Sequence, residues 1–398
     1  MRLGDHDRIK TILAAIRLSL GSAIALGLAR FSYALLLPPM KADLGWSFAQ
    51  AGALNTANAI GYLLGALAVP LLSRKFSLSA LFLAGGYLAV VLVAACGLVS
   101  SSPMLLTLRL ATGVASALIF VSGGVLAARL ATAAPTSGGL ILGLYYGGTG
   151  YGIILSSILV PAVLQPIRHG WQPAWFALAA ACAVCVLVAR ATARGTDAGR
   201  RLASGQASRG ANRVRWHQFG LALGGYGLFG VGYIGYMTFI IALLRADHMS
   251  SGVISGFYIV LGIATVFSAN IWSKFLDRTR GGQALAAFNA LLGIATLMPA
   301  LIAHPLAAFI SGALFGATFL SAVASTTAFV RHNLPPEAWT NGISAFTIVF
   351  AAGQIAGPVV IGWISDSAGL TRGLVYSAVI LLVGALLAAC QRALHART

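Results

Sequence analysis

Gly27-Leu-Ala-Arg30-Phe-Ser-Tyr33-Ala-Leu-Leu-Leu-Pro38-Pro39-Met-Lys-Ala-Asp43 puts an arginine in the middle of an apolar run and closes that run with two prolines. If Leu18 to Leu37 is a membrane-crossing helix, Arg30 lies within about one turn of its centre. An arginine at that depth costs at least roughly 2.5–3.5 kcal/mol on insertion scales, so it needs a partner, a water-filled cavity or a task.

The composition supports the membrane reading. Of 398 residues, 59% are hydrophobic and 9% charged, with a mean hydropathy of +0.88. A soluble domain would carry roughly 25% charged residues. The chain therefore falls in the polytopic helical membrane class, with no room for a separate soluble domain. Its 47 glycines fit close helix packing in a bilayer. The net charge of +18 does not point to nucleic acid, because the basic residues cluster in short loops between apolar runs, as orientation signals do. Cys96, Cys182, Cys185 and Cys390 all fall within apolar runs, with no disulfide framework or metal spacing; the C-x-x-C pair 182/185 reads as helix packing. No cofactor is implied. The N-terminus imitates a signal peptide, but the apolar run continues past the cleavage-like site and reads as an uncleaved first span.

Short polar breaks divide the chain into twelve candidate spans, approximately 12–37, 48–72, 77–99, 103–130, 138–165, 172–193, 216–244, 250–273, 282–303, 305–330, 340–365 and 371–391. Each is long enough to cross about 30 Å of hydrocarbon. With the N-terminus inside, twenty of the 26 Lys and Arg fall on the inner side. Lys41, Arg168, Arg245 and Arg372 fall outside, and Arg30 and Arg109 lie within spans. That bias places both termini in the cytoplasm of a multi-pass protein. The break at 195–215, rich in Gly, Ser, Ala and Arg, reads as a flexible cytoplasmic linker between an N-terminal half, 1–194, and a C-terminal half, 216–398. The halves repeat. Lys41-Ala-Asp43 is matched by Arg245-Ala-Asp247 and Ser73-Arg74 by Asp277-Arg278 at one offset; allowing one residue of slippage, Arg30 and Tyr33 fall opposite Tyr233 and Tyr236. A six-plus-six repeat is the trace of alternating-access transporters with a mid-membrane site between the halves.

Over essentially its whole length the chain resembles a major facilitator superfamily (MFS) transporter. Asp277-Arg278-Thr-Arg280-Gly281 resembles the D-R-x-G loop motif, Arg109-Leu-Ala-Thr-Gly113 the R-x-x-x-G motif, and Gly170-Trp171-Gln-Pro-Ala-Trp175-Phe176 the G-W-x-x-x-F start of span six. Span one, G-L-A-R-F-x-Y-x-x-L-L-P, is similar to the YbfB/YjiJ-type branch. Ser73 stands where the superfamily usually has aspartate, so the gate network is expected to rest on the second-half copy. Gly148-Thr-Gly-Tyr-Gly152 lacks the proline of the antiporter motif, which weakens a drug/proton antiport reading. The resemblance implies an all-α membrane fold of two pseudo-symmetric six-helix halves, and a coupling or gating role for Arg109.

Arg30 leads the candidate substrate contacts, because a guanidinium meets a carboxylate through two parallel hydrogen bonds. Arg109 shares a helix face with Thr112 and Ser116. Asn55, Asn58 and Tyr62 form a polar stripe on span two, which must face the bundle or water rather than lipid. Tyr233 and Tyr236 lie too deep for an interfacial belt. One of Tyr145 and Tyr146 faces inward, and the site set takes Tyr146. Gln354, flanked by Gly353 and Gly357, is an uncharged hydrogen-bonder. Tyr33 completes the substrate set. Arg74, Asp277, Arg278 and Asp366 are expected to hold a gate, with Asp277 and Asp366 at cytoplasmic span ends. Gly61/Gly65, Gly143/Gly147, Gly312/Gly316 and Gly353/Gly357 read as packing or sliding faces.

All eight carboxylates (Asp5, Asp7, Asp43, Asp197, Asp247, Asp277, Glu337 and Asp366) map to tails, loops or span ends, and no histidine is deep. An electropositive cavity without a buried acid favours a small organic anion as cargo, coupled through exchange or a co-carried proton. The alternative is a multidrug or metabolite efflux pump with an apolar cavity in which Arg30 is structural. An intramembrane enzyme would need a nucleophile, base or metal cluster at depth, and a channel would need a selectivity filter. The expected partners are a small solute and the bilayer, with no nucleic acid, and the expected state is a monomer.

Overall fold

Twelve helices long and apolar enough to cross a membrane follow one another in a computed structural model that describes residues 5–133, 138–198, 216–335 and 338–394. They are α1 (Ile9–Leu44), α2 (Phe48–Leu72), α3 (Leu78–Cys96), α4 (Ser102–Ala133), α5 (Gly138–Val163), α6 (Gln172–Ala198), α7 (Gly220–Ala246), α8 (Ser251–Arg278), α9 (Gln283–Leu301), α10 (Pro305–Asn333), α11 (Trp339–Ala368) and α12 (Leu370–Ala389). Among the described residues there is no strand, as the all-α expectation required. Most of the expected linker, 199–215, lies outside the described residues.

The breaks carry their own start signals. Ser47 and Gln50 make a capping box at the head of α2. Ser77 and Ser250 cap α3 and α8 through their hydroxyls. Each accepts one of the backbone N–H groups that a helix start leaves unpaired. The first span departs from expectation. It runs through Pro38 and Pro39 to Leu44 and closes on Gly45, whose left-handed φ of 65° suits a residue without Cβ. Membrane helices tolerate such prolines where neighbours re-satisfy the freed carbonyls.

In the first six helices α1 packs on α5 and α6, α2 and α3 on α4, and α3 on α6. In the last six the corresponding pairs recur: α7 on α11 and α12, α8 and α9 on α10, and α9 on α12. The two sets meet through α2–α11, α5–α8 and the far end of α1 against α7. We call the side of Arg74, Arg129, Arg278 and Arg331 the basic face, and the side of Asp43, His169 and Asp247 the opposite face.

The α5 glycines serve two partners. On one side a Cβ on Gly27 would lie 2.5 Å from the Gly152 Cα, so α1 touches α5 backbone to backbone. On the other side a Cβ on Gly147 would lie 3.1 Å from the Val266 carbonyl, and one on Gly262 would lie 2.9 Å from the Gly150 carbonyl, across to α8. The pair Gly143/Gly147 thus faces the other half. Gly61/Gly65 packs on α4, Gly312/Gly316 on α8 and Gly353/Gly357 on α7, each within its own half.

Candidate functional site

Arg30 sits in a π-helical stretch, Ala23–Phe31, inside α1. Such wide turns often mark functional positions. All nine residues are buried, so their carbonyls must find donors, and an unmet one would cost about 1–3 kcal/mol. The Ser32 N–H donates to the Gly27 carbonyl at 2.9 Å. The Ser32 hydroxyl donates to Leu28 O at 2.5 Å, the Arg109 Nη1 to Ala29 O at 2.6 Å and the Tyr258 hydroxyl to Phe31 O at 2.8 Å. Two donors come from Ser32 of α1 itself, one from α4 and one from α8 of the other half.

The Arg30 side chain is 2% exposed, and its Nε and Nη2 have no hydrogen-bond partner. Its guanidinium carbon lies 5.9 Å from the ring centroids of Phe31 and Tyr62, at the outer limit of a cation–π contact. Tyr62 and Tyr233 both fall within its electrostatic reach. Tyr233 comes from α7 and accepts a short hydrogen bond from the Gln354 amide of α11. Tyr146 is 39% exposed; its ring stands 5.5 Å from that of Phe120 on α4. Tyr145 turns the other way and donates to Phe120 O at 2.8 Å. Arg30, Tyr233 and Gln354 therefore come together, and Tyr146 is joined to them through Phe120 and Tyr62. Tyr62 joins them; it was visible in the span-two stripe but stood outside the expected contact set.

Five expected contacts are tied up elsewhere. Arg109 is fully buried behind α1. Besides Ala29 it reaches Asn55 Oδ1 at 3.4 Å, and its guanidinium carbon lies 5.3 Å from the Tyr33 ring and 5.7 Å from that of Trp175. Tyr33 is fully buried and donates to Ala51 O at 2.8 Å. Asn55 donates to the Thr238 hydroxyl at 2.9 Å across the halves. Asn58 donates to Arg109 O at 3.2 Å. Tyr236 pairs with the Ser311 hydroxyl at 2.7 Å and stacks on Phe315. Each leaves the site because its polar atom is spent on holding helices together.

The gate set needs correcting. Arg74, Asp277 and Arg278 are exposed and make no ion pair among the described residues. Asp366 sits at the opposite face, not beside Asp277, because α8 and α11 run antiparallel and end on different sides. Its carboxylate accepts the N–H groups of Phe48 at 2.6 Å and Ala49 at 2.9 Å, at the positive end of the α2 dipole. The loop glycines have a different task. Gly282 donates to Gln391 O at 2.9 Å, fastening the α8–α9 loop to the turn after α12. Trp171 and His169 both reach Asp43 Oδ2, at 2.7 and 2.6 Å, and tie the α5–α6 loop to the end of α1.

A buried arginine in a wide turn between two matched six-helix sets is the frame in which kinship can be judged. The family model described as "uncharacterised MFS-type transporter YbfB" matches residues 22–389. The chain belongs to this family of MFS transporters. No curated protein matches it. Among solved structures, a mutant form of the nucleoside transporter NupG is similar with a TM-score of 0.71 and 14% identity, over 94% of this chain and 99% of that one. A bacterial homologue of the human lysosomal transporter Spinster, inward-facing and unoccupied, aligns with a TM-score of 0.68 and 16% identity over 96% of both chains. At such identities the likeness concerns the fold. As an MFS member the chain is a multi-pass membrane transporter.

Proposed function

We propose that the chain is a secondary active transporter that moves a small organic anion across the bacterial inner membrane by alternating access, with both termini cytoplasmic. The halves 1–194 and 216–398 rock about the site, joined by 195–215. It works as a monomer, coupled by exchange or by a proton carried with the anion. One observation carries the anion reading. Arg30 is 2% exposed and has two unpartnered guanidinium nitrogens, while the ion pairs among the described residues, Arg129–Asp197 and His169–Asp43, lie in other parts of the fold. A charge so placed is costly unless something pairs with it. The groups around it, Tyr62 and Tyr233, offer hydroxyl protons and no negative charge.

The test is a panel of anionic, neutral and cationic metabolites in proteoliposomes, with Arg30→Gln alongside. Charged hydrogen bonds are worth about 1.5–3 kcal/mol, so the variant should bind the transported anion roughly ten- to hundred-fold more weakly. Transport of cations or neutral compounds that Arg30→Ala leaves intact would overturn the anion reading. It would restore the efflux alternative, which the half-exposed rings of Tyr62, Phe120 and Tyr146 favour. Drug resistance on overexpression would point the same way.

A further inference from the structure

The aromatic side chains around Arg30 are arranged differently in the two halves. On the C-terminal side Phe229, Tyr233 and Phe350 are mutually stacked, with centroids 4.8–5.6 Å apart and interplanar angles of 11–20°. Ring faces there are covered by other rings. On the N-terminal side the rings are tilted. Phe120 meets Tyr62 at 58° and Tyr146 at 53°, with centroids 6.3 and 5.5 Å apart. Tyr62 and Phe120 are half-buried and Tyr146 is exposed. The Tyr62 and Tyr146 hydroxyls have no hydrogen-bond partner among the described residues. The open ring faces thus begin at the unpartnered guanidinium, 5.9 Å from Tyr62, and continue toward the basic face.

We propose that the cargo is an aromatic carboxylate, held with its carboxylate on Arg30 and its ring in the cradle of Tyr62, Phe120 and Tyr146. This rests on the anion reading above and narrows it. A carboxylate alone would use Arg30 and leave the three rings wet. An aliphatic tail would bury area against them but gain none of the ring-on-ring geometry. Phe120 and Tyr146 each pack on Tyr145 on one side, with centroids 6.0 and 5.2 Å away; the ring surface left open accepts a further ring, which adds roughly two- to twelve-fold in affinity beyond the area buried.

Four probes separate this inference from the reading beneath it: benzoate, cyclohexanecarboxylate, benzamide and cyclohexanecarboxamide, each titrated against the purified full chain by thermal shift and by competition. The expected order puts benzoate first, two- to twelve-fold tighter than cyclohexanecarboxylate, with both amides weaker still. Tyr62→Leu and Phe120→Leu should narrow the gap between the two acids. Equal binding of the two acids would overturn the aromatic inference and leave the anion reading standing. Benzamide binding as tightly as benzoate would overturn the anion reading. Failure of benzoate to bind overturns the aromatic inference, and binding of acetate or succinate in the same assay then decides the anion reading separately. The comparison of probes on the unmodified chain stands even if a variant fails to fold.

Discussion

Two arginines lie inside the membrane-spanning part of this chain, and they are buried in opposite senses. Arg109 spends Nη1 and Nη2 on Ala29 O and Asn55, leaves its Nε unmet and packs against Tyr33 and Trp175. Arg30 leaves two of its nitrogens unmet. Breaking a satisfied buried contact costs about 1–3 kcal/mol, because the partner is left stranded. Removing an uncompensated buried charge relieves a desolvation cost. Arg109→Gln should therefore lower the thermal stability of the detergent-solubilised protein, whereas Arg30→Gln should leave it unchanged or raise it. A loss of stability in Arg30→Gln as large as in Arg109→Gln would make Arg30 structural. The sequence made both arginines legible as anomalies and Arg30 as the one near the pseudo-axis. It could not tell the free one from the spent one, since Ala29 O is available to Arg109 only because the wide turn releases it. The same turn explains Tyr33. In a regular helix residues three apart share a face. The extra residue of a π turn rotates the rest of the helix about its axis, and Tyr33 points into its own half rather than beside Arg30.

At the scale of elements, the glycine faces were readable and the partners of the helix ends were not. Small residues four apart mark close approach whatever the partner, so the pairs at 61/65, 312/316 and 353/357 pack as expected. Only the assembled fold assigns 143/147 to the other half. Asp366 was readable as a polar end residue, and the alternation of spans that puts Arg372 outside puts the end of α11 there too; its partner, the backbone of α2 rather than an arginine, was not readable. Its contact closes the opposite face, where α2 and α11 also meet through the Thr56 hydroxyl and Ile355 O at 2.7 Å. Helix-capping contacts are worth about 0.5–2 kcal/mol, so Asp366→Ala should raise the population open at this face by roughly two- to thirty-fold. In a Cys390→Ser background, a cysteine at Thr56 should then react correspondingly faster with an impermeant maleimide applied from the opposite face. An unchanged rate would mean the cap does not hold that face shut.

For the whole molecule, the shape of the path and the charge of its two ends bear on one another. At mid-depth Tyr233 and Phe319 are 3% and 1% exposed; toward the basic face Tyr146 of α5 is open at 39%, while Tyr226 of α7 is buried at 3%. An anion approaching from the basic face would pass an end rich in Lys and Arg before meeting Arg30, so attraction and accessibility act in the same direction. Which compartment the basic face meets depends on orientation in the membrane, and the proposed orientation puts that face in the cytoplasm. The chain carries its own reporter for this. Cys96, Cys182 and Cys185 are buried, while Cys390, just past α12 on the basic face, is exposed. An impermeant maleimide should label the unmodified protein in everted membrane vesicles and spare it in intact spheroplasts. The reverse pattern would turn the molecule over, placing the Asp366 cap in the cytoplasm and the open aromatic cradle outside, and the cargo would then be captured from the medium in the conformation described.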